Sequence, residues 1–151
     1  MPASHDGVAL FGGTFDPVHI GHLRAAVEVR DALGIDQIRL IPSCDPPHRQ
    51  GTSATATDRL EMLRLATTGQ DGITIDSVEV DRGGKSYMID TLRSVREEIG
   101  RQVSLTLVLG SDAFRSLPEW YRWRELTDHA HIRVLSRPGG PEERPGRPPV
   151  H

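Results

Sequence analysis

Phe11-Gly12-Gly13-Thr14-Phe15-Asp16-Pro17-Val18-His19-Ile20-Gly21-His22 is the stretch that decides the fold. It follows Val8, Ala9 and Leu10, so Val8 to Phe11 reads as a short apolar strand. Gly12 and Gly13 permit a sharp turn and close approach of backbone to a ligand. Pro17 is suited to the first turn of a helix, where its missing N–H has no partner to lose. Leu23, Ala26, Val27 and Leu33 continue a helical apolar stripe, and Gly34 closes it. Strand, glycine turn and helix start together present free N–H groups and partial positive charge, which favour a phosphate.

His19 and His22 stand at i and i+3 on the start of that helix and share a face. Neither belongs to a G-K-[ST] phosphate loop or to a G-x-G-x-x-G dinucleotide fingerprint. An H-x-x-H pair taken alone is more often two surface histidines. The glycine turn directly upstream makes an anion-binding pair the better reading. Zinc is disfavoured, because the single cysteine, Cys44, and the carboxylates do not complete a ligand spacing.

G-G-T-F-D-P-V-H-I-G-H resembles the H-x-G-H signature of the α/β nucleotidyltransferase superfamily. Its flanking residues are similar to those of bacterial nicotinate-nucleotide adenylyltransferases. The resemblance implies a Rossmann-like, doubly wound α/β fold, with about five parallel strands and helices on both faces. It implies adenylyl transfer from ATP to nicotinate mononucleotide, giving deamido-NAD and pyrophosphate in NAD biosynthesis. His19 and His22 would be catalytic. Gly12, Gly13, Thr14, Phe15 and Gly21 would join them around ATP, with Mg²⁺ as cofactor.

The rest of the chain extends both readings. Gln37 to Ile41 forms a second strand, ended by Pro42, and completes a βαβ unit whose crossover should be right-handed. The loop that follows, Ser43 to Gly51, contains Pro46-Pro47-His48-Arg49. As a Pro-rich loop it would ordinarily be solvated. It lies at the same sheet end as the glycine turn, where α/β ligands bind. P-P-H-R also resembles the family's phosphate-contacting loop, which makes His48 and Arg49 substrate candidates. Thr52 to Thr57 is small and polar. Asp58, with Glu61 after it, reads as a helix cap. Ile73, Ile75, Val78 and Val80 read as a third strand with a bulge. Ser86 reads as the cap of a helix with a Met88, Leu92, Val95, Ile99 stripe.

Ser86-Tyr87-Met88-Ile89-Asp90-Thr91-Leu92 resembles the family's S-Y-T-x-x-T-L. There the helix start offers backbone N–H groups to the nicotinate carboxylate. Met88 stands where the family usually has Thr. Tyr87 reads equally well as a half-buried packing residue. Val103 to Leu109 has the near-continuous apolarity of a central parallel strand. Gly110 and Asp112 follow it, and the resemblance makes them ATP-binding; an N-cap Asp is the plainer reading.

Only 5% of the chain is aromatic, yet both tryptophans and one of the two tyrosines fall within Trp120-Tyr121-Arg122-Trp123. Such density marks core or a stacking site. By resemblance Trp120 stacks on the pyridine ring and Tyr121 supplies a backbone N–H, while Trp123 packs its own helix. His131 to Ser136 is a fifth strand. Arg137 after it is either a phosphate contact or a surface arginine.

At 151 residues with net charge −3, one domain is expected and nonspecific nucleic-acid binding is not. No membrane partner is expected either. One cysteine excludes an internal disulfide and suits a reducing cytoplasm. Residues 1–139 are expected to form the nucleotidyltransferase domain. Residues 140–151, rich in Pro and Gly, are expected to be a disordered tail. Oligomeric state is not readable. The family continues with a further strand, an I-S-S-T-x-[IL]-R motif and C-terminal helices, none of which is present in these residues. Activity at this length is therefore an open point. The alternatives are phosphopantetheine adenylyltransferase and a nucleotide-binding fragment without turnover.

Overall fold

The computed structural model describes residues 7–13, 15, 18, 20–44, 55–84 and 87–135. Five parallel strands form one sheet: β1 (Val8–Gly13), β2 (Gln37–Pro42), β3 (Ile73–Ile75), β4 (Leu105–Gly110) and β5 (His131–Leu135). Their order across the sheet is β3-β2-β1-β4-β5. The helices are α1 (Ile20–Leu33), α2 (Ala56–Thr67), α3 (Val78–Arg82), α4 (Met88–Ile99) and α5 (Ser111–Arg115). Two 3₁₀ segments follow, Leu117–Glu119 and Trp123–Asp128.

Alternation along the strands builds two cores. Ala9, Phe11, Ile38, Leu40 and Val108 pack with Ala26 and Val29 of α1 and Leu63 of α2. Leu10, Ile41, Leu105, Leu107 and Leu109 pack with Ile89, Leu92 and Val95 of α4 and with Leu117 and Leu126 of the 3₁₀ segments. The sheet is therefore covered on both faces, as parallel sheets require. β4 is buried over its first five residues because helical layers sit on both sides of it. β5 is an edge strand and exposes His131 and Arg133; charges there discourage pairing with another chain.

Four local expectations change. Val78 and Val80 do not continue β3. The Asp76 carboxylate accepts the Val78 N–H at 3.0 Å, and this side-chain turn starts α3 instead. The inward residue is then Glu79, buried and accepting a hydrogen bond from the Thr91 hydroxyl. The cap of α2 is Thr55, whose hydroxyl accepts the Asp58 N–H at 3.1 Å. Asp58 thus occupies the acidic first-turn position. Val103 precedes β4, which begins at Leu105. Tyr87 is the N-cap of α4 and makes no side-chain cap bond; Ser86 lies outside the described residues. Gly100 ends α4 as expected, with φ at 87°.

Candidate active site

All five strands run the same way, so Gly13, Pro42 and Gly110 end at one edge of the sheet. β1 and β4 are neighbours, last paired at Phe11 and Val108. The helix following β1 packs on one face, while α4, which precedes β4, packs on the other. The crevice between these two strand ends is thus a topological switch point, where ligands of open α/β sheets bind.

On the β1 side, Gly12 and Gly13 do not form the expected turn: they are the last residues of β1, opposite Ile41 and Pro42. The left-handed residue comes after them, at Phe15. Its φ is 51°, in the left-handed region that side chains rarely adopt. This turns the ring inward until it is 3% exposed. It packs edge-on against His22 with centroids 5.0 Å apart, and against Phe11 at 5.8 Å. A β-carbon at Gly13 would stand 3.3 Å from the same ring. The ring of Phe15 is therefore a core element, and only its backbone is placed to face a ligand. Val18 is still non-helical, so α1 starts later than Pro17 would allow.

His22 sits in the first turn of α1, half-buried beside Phe15 and Phe11. That turn carries no acidic residue, and Gly21 is exposed. A helix N-terminus of this kind favours an anion. His19, Thr14, His48, Arg49 and Arg137 lie outside the described residues.

On the other side of the crevice, α4 begins against Gly12 of β1. The Met88 terminal methyl lies where a β-carbon of Gly12 would approach it to 2.8 Å. Tyr87 stacks obliquely on Tyr121, with centroids 5.0 Å apart. Tyr121 is 53% exposed, and the Arg122 guanidinium sits 5.6 Å from its ring centroid. Arg122 is also left-handed, with φ of 53°. Trp120 is half-buried on the α4 core and donates from Nε1 to the Ser116 hydroxyl at 3.2 Å. Trp123 also packs on that core, in agreement with its expected role.

At the end of β4, Gly110 has an ordinary extended backbone, and a β-carbon there would meet nothing within 4 Å. Its smallness leaves open space above the strand. Asp112 lies in the first turn of α5 and pairs with Arg115 at 3.3 Å, both side chains being more than half exposed. The structure thus brings the glycine end of β1, His22, Met88, Tyr87 and Tyr121 around one sheet end, while Asp112 is exposed in the helix that follows β4.

Three contributors escaped the sequence reading. Ser116 orients the Trp120 indole. Arg122 covers Tyr121. Arg59 of α2 is fully buried and donates to the Ser43 and Cys44 carbonyls at 2.7 and 2.9 Å. Its signal was present: a charged residue on the buried face of a helix, between Asp58 and Leu60 and one turn before Leu63.

Comparison with known proteins matches residues 10–149 to the cytidylyltransferase-like family. A Pseudomonas putida protein described as a probable nicotinate-nucleotide adenylyltransferase is 51% identical over 138 residues, covering 91% of this chain and 63% of that relative. A Pseudomonas aeruginosa protein of the same description is 48% identical, over 91% of this chain and 64% of the relative. The chain thus spans somewhat under two thirds of the length of the curated relatives it matches. The resemblance noted in the sequence is borne out at this level. Among solved structures, Plasmodium falciparum nicotinic acid mononucleotide adenylyltransferase complexed with NaAD superposes with a TM-score of 0.69 at 14% identity, over 87% of this chain and 75% of that one. That likeness is one of fold, and it agrees with the strand order and two-faced packing described above. By the match along nearly its whole length, the chain belongs to the cytidylyltransferase-like family.

Proposed function

We propose that the protein transfers the adenylyl group of ATP to nicotinate mononucleotide, releasing pyrophosphate and forming deamido-NAD. One observation carries the reading. At the switch point, the glycine end of β1 touches, through Gly12 and Met88, the start of α4, beside which Tyr87 pairs with Tyr121. One end suits phosphates and the other suits a flat ring. The similarity to relatives described as nicotinate-nucleotide adenylyltransferases supports the same pair of substrates.

The nucleotide phosphate attacks the α-phosphorus of ATP, and pyrophosphate leaves. A phosphate monoester is an adequate nucleophile, so the protein acts by positioning and charge stabilisation. His22, with His19, donates to the α- and β-phosphate oxygens where charge grows. Gly12, Gly13, Thr14, Phe15 and Gly21 contribute backbone N–H groups and close approach. Gly110 leaves room for the nucleoside, and Asp112 contacts it. Trp120 stacks on the pyridine. Tyr87, Met88 and Tyr121 contribute backbone N–H groups toward the carboxylate. His48, Arg49 and Arg137 hold substrate phosphate. Among the described residues no three His, Cys, Asp or Glu side chains cluster as a metal site. Mg²⁺ would arrive with ATP and neutralise charge on its phosphates.

The domain is assigned to residues 1–139, working on small molecules in the cytoplasm. The net charge of −3 and the lone cysteine support this. Among the described residues, no helix is long and apolar enough to cross a membrane. The test is pyrophosphate release from ATP with nicotinate mononucleotide, its amide analogue and phosphopantetheine in parallel. Release with nicotinate mononucleotide is expected. Release with phosphopantetheine alone would transfer the reading to the phosphopantetheine enzyme. ATP binding without release from any acceptor would leave a nucleotide-binding module.

A further inference from the structure

Arg59 is 0% exposed, the largest of the fully buried side chains. A guanidinium in that position carries a desolvation cost that Leu or Met would avoid. Its hydrogen bonds show what it does there. Nη1 donates to the Ser43 carbonyl at 2.7 Å and Nη2 to the Cys44 carbonyl at 2.9 Å. The planar fork thereby fixes two successive peptide planes, which a flexible ammonium cannot do. Ser43 in turn donates its N–H to the Gly13 carbonyl at 3.0 Å. Ser43 is held from both sides, and the second hold, which continues the β1–β2 ladder, lies on Gly13 at the end of β1.

We propose that Arg59 is a positioning residue for the glycine end of β1: it fixes Ser43, and Ser43 fixes the Gly13 peptide against which the ATP phosphates are placed. The inference rests on the reading of that strand end as the ATP site. Arg59 comes from α2, which packs on β2 and β3, so its effect reaches Gly13 through Ser43 and not by contact with ligand. Loss of the fork releases the Ser43 peptide, and Gly13 loses a constraint on its carbonyl.

The full 151-residue chain is compared with Arg59→Lys and Arg59→Gln. Amide hydrogen exchange is followed at Ser43 and at Ile38, whose N–H donates to Gly72 at 2.9 Å at the opposite end of β2. ATP affinity is measured by calorimetry, without need of turnover. A graded series is expected, with ATP Kd about threefold weaker in the Lys variant and about tenfold in the Gln variant, in proportion to the donors lost. Ser43 should lose protection in the same order while Ile38 keeps it. Native exchange at Ser43 in the Lys variant, together with native ATP affinity, would overturn the proposal even if the Gln variant does not fold. Equal loss at Ser43 and Ile38 would show a general core role and overturn it as well. So would loss at Ser43 with unchanged ATP affinity. A native chain that binds ATP but releases no pyrophosphate with nicotinate mononucleotide would sink the proposed reaction and leave the role of Arg59 standing.

Discussion

Met88 Cε stands 2.8 Å from the position a β-carbon would take on Gly12. The first residue of α4 therefore fills the space that the second-last residue of β1 leaves by lacking a side chain. This contact closes the floor between two elements nearly eighty positions apart, and it has a direct test. Gly12→Ala forces the Met88 methyl aside, an overpacking cost of roughly 1–3 kcal/mol. Met88→Ala in the same chain should recover part of that loss, because the two sites share one space. Urea unfolding of both single variants and the double variant measures the coupling. Strictly additive effects would mean that the contact carries no energy.

His22→Ala should lower kcat by about 10²–10³ with a smaller change in KM, since it removes a donor aimed at growing transition-state charge. The ring also packs on Phe15 and Phe11, so melting of the variant is measured beside the kinetics. A near-normal kcat would assign His22 to packing alone.

Two variants separate the proposed stacking of Trp120 from its bond to Ser116. Trp120→Phe keeps an aromatic face and loses the bond to the Ser116 hydroxyl. Trp120→Ala loses both. Stacking is worth roughly 0.5–1.5 kcal/mol beyond area burial. The Ala variant should therefore bind nicotinate mononucleotide about tenfold more weakly while ATP changes little, and the Phe variant should stay within about threefold of native. Equal loss for both ligands, in titrations monitored by calorimetry, would make Trp120 a core residue only.

Arg39 on β2 reaches Glu98 of α4 at 2.6 Å and Asp76 at 3.2 Å. The hydrogen bond from Arg39 holds the Glu98 carboxyl below the ordinary glutamate range. A carboxyl depressed in the folded state stabilises fully above its unfolded pKa, and that contribution fades as pH falls through the folded value. Glu98 is more than half exposed, so the contribution is small, roughly 0.2–1 kcal/mol as for surface pairs. Glu98→Gln should melt slightly below native at pH 7, and the difference should disappear in acid. A difference that persists unchanged below the carboxylate range would exclude the ion pair as its cause.

The central part of the fold was legible because its signals were redundant. Val8 to Phe11 and the α1 stripe agree on strand and helix, whereas Gly12 and Gly13, expected as a turn, extend β1 opposite Ile41 and Pro42. The run of apolar residues in β4 likewise admits little except a covered parallel strand. Val78 and Val80 were misread because a spacing of two is also compatible with a five-residue helix. What decided between them was the Asp76 side chain, a local hydrogen bond with no periodic trace. In the site, Phe15 shows a different limit. Its place in the motif suggests a ligand contact, yet its left-handed backbone sends the ring into the core, where it backs His22. The position of Arg59 on the buried helix face was readable, but its partners were not. Its carbonyl partners lie sixteen and fifteen positions away in the chain, and backbone carbonyls leave no mark in the residue sequence.

The strand order has a further consequence, for the way the chain reaches this structure. β1, the middle strand, is the first to be synthesised, and its partner β4 comes about a hundred residues later, with Val8 opposite Leu105. The pairing of β1 with β2 can form early across a single helix. The other edge of β1 must wait, apolar and unpaired, until nearly the whole described chain has emerged. Closing so long a loop before contacts repay it slows folding and prolongs exposure to aggregation. A nascent chain stopped shortly after α4 should therefore bind chaperones through β1, and release from them should coincide with the appearance of β4.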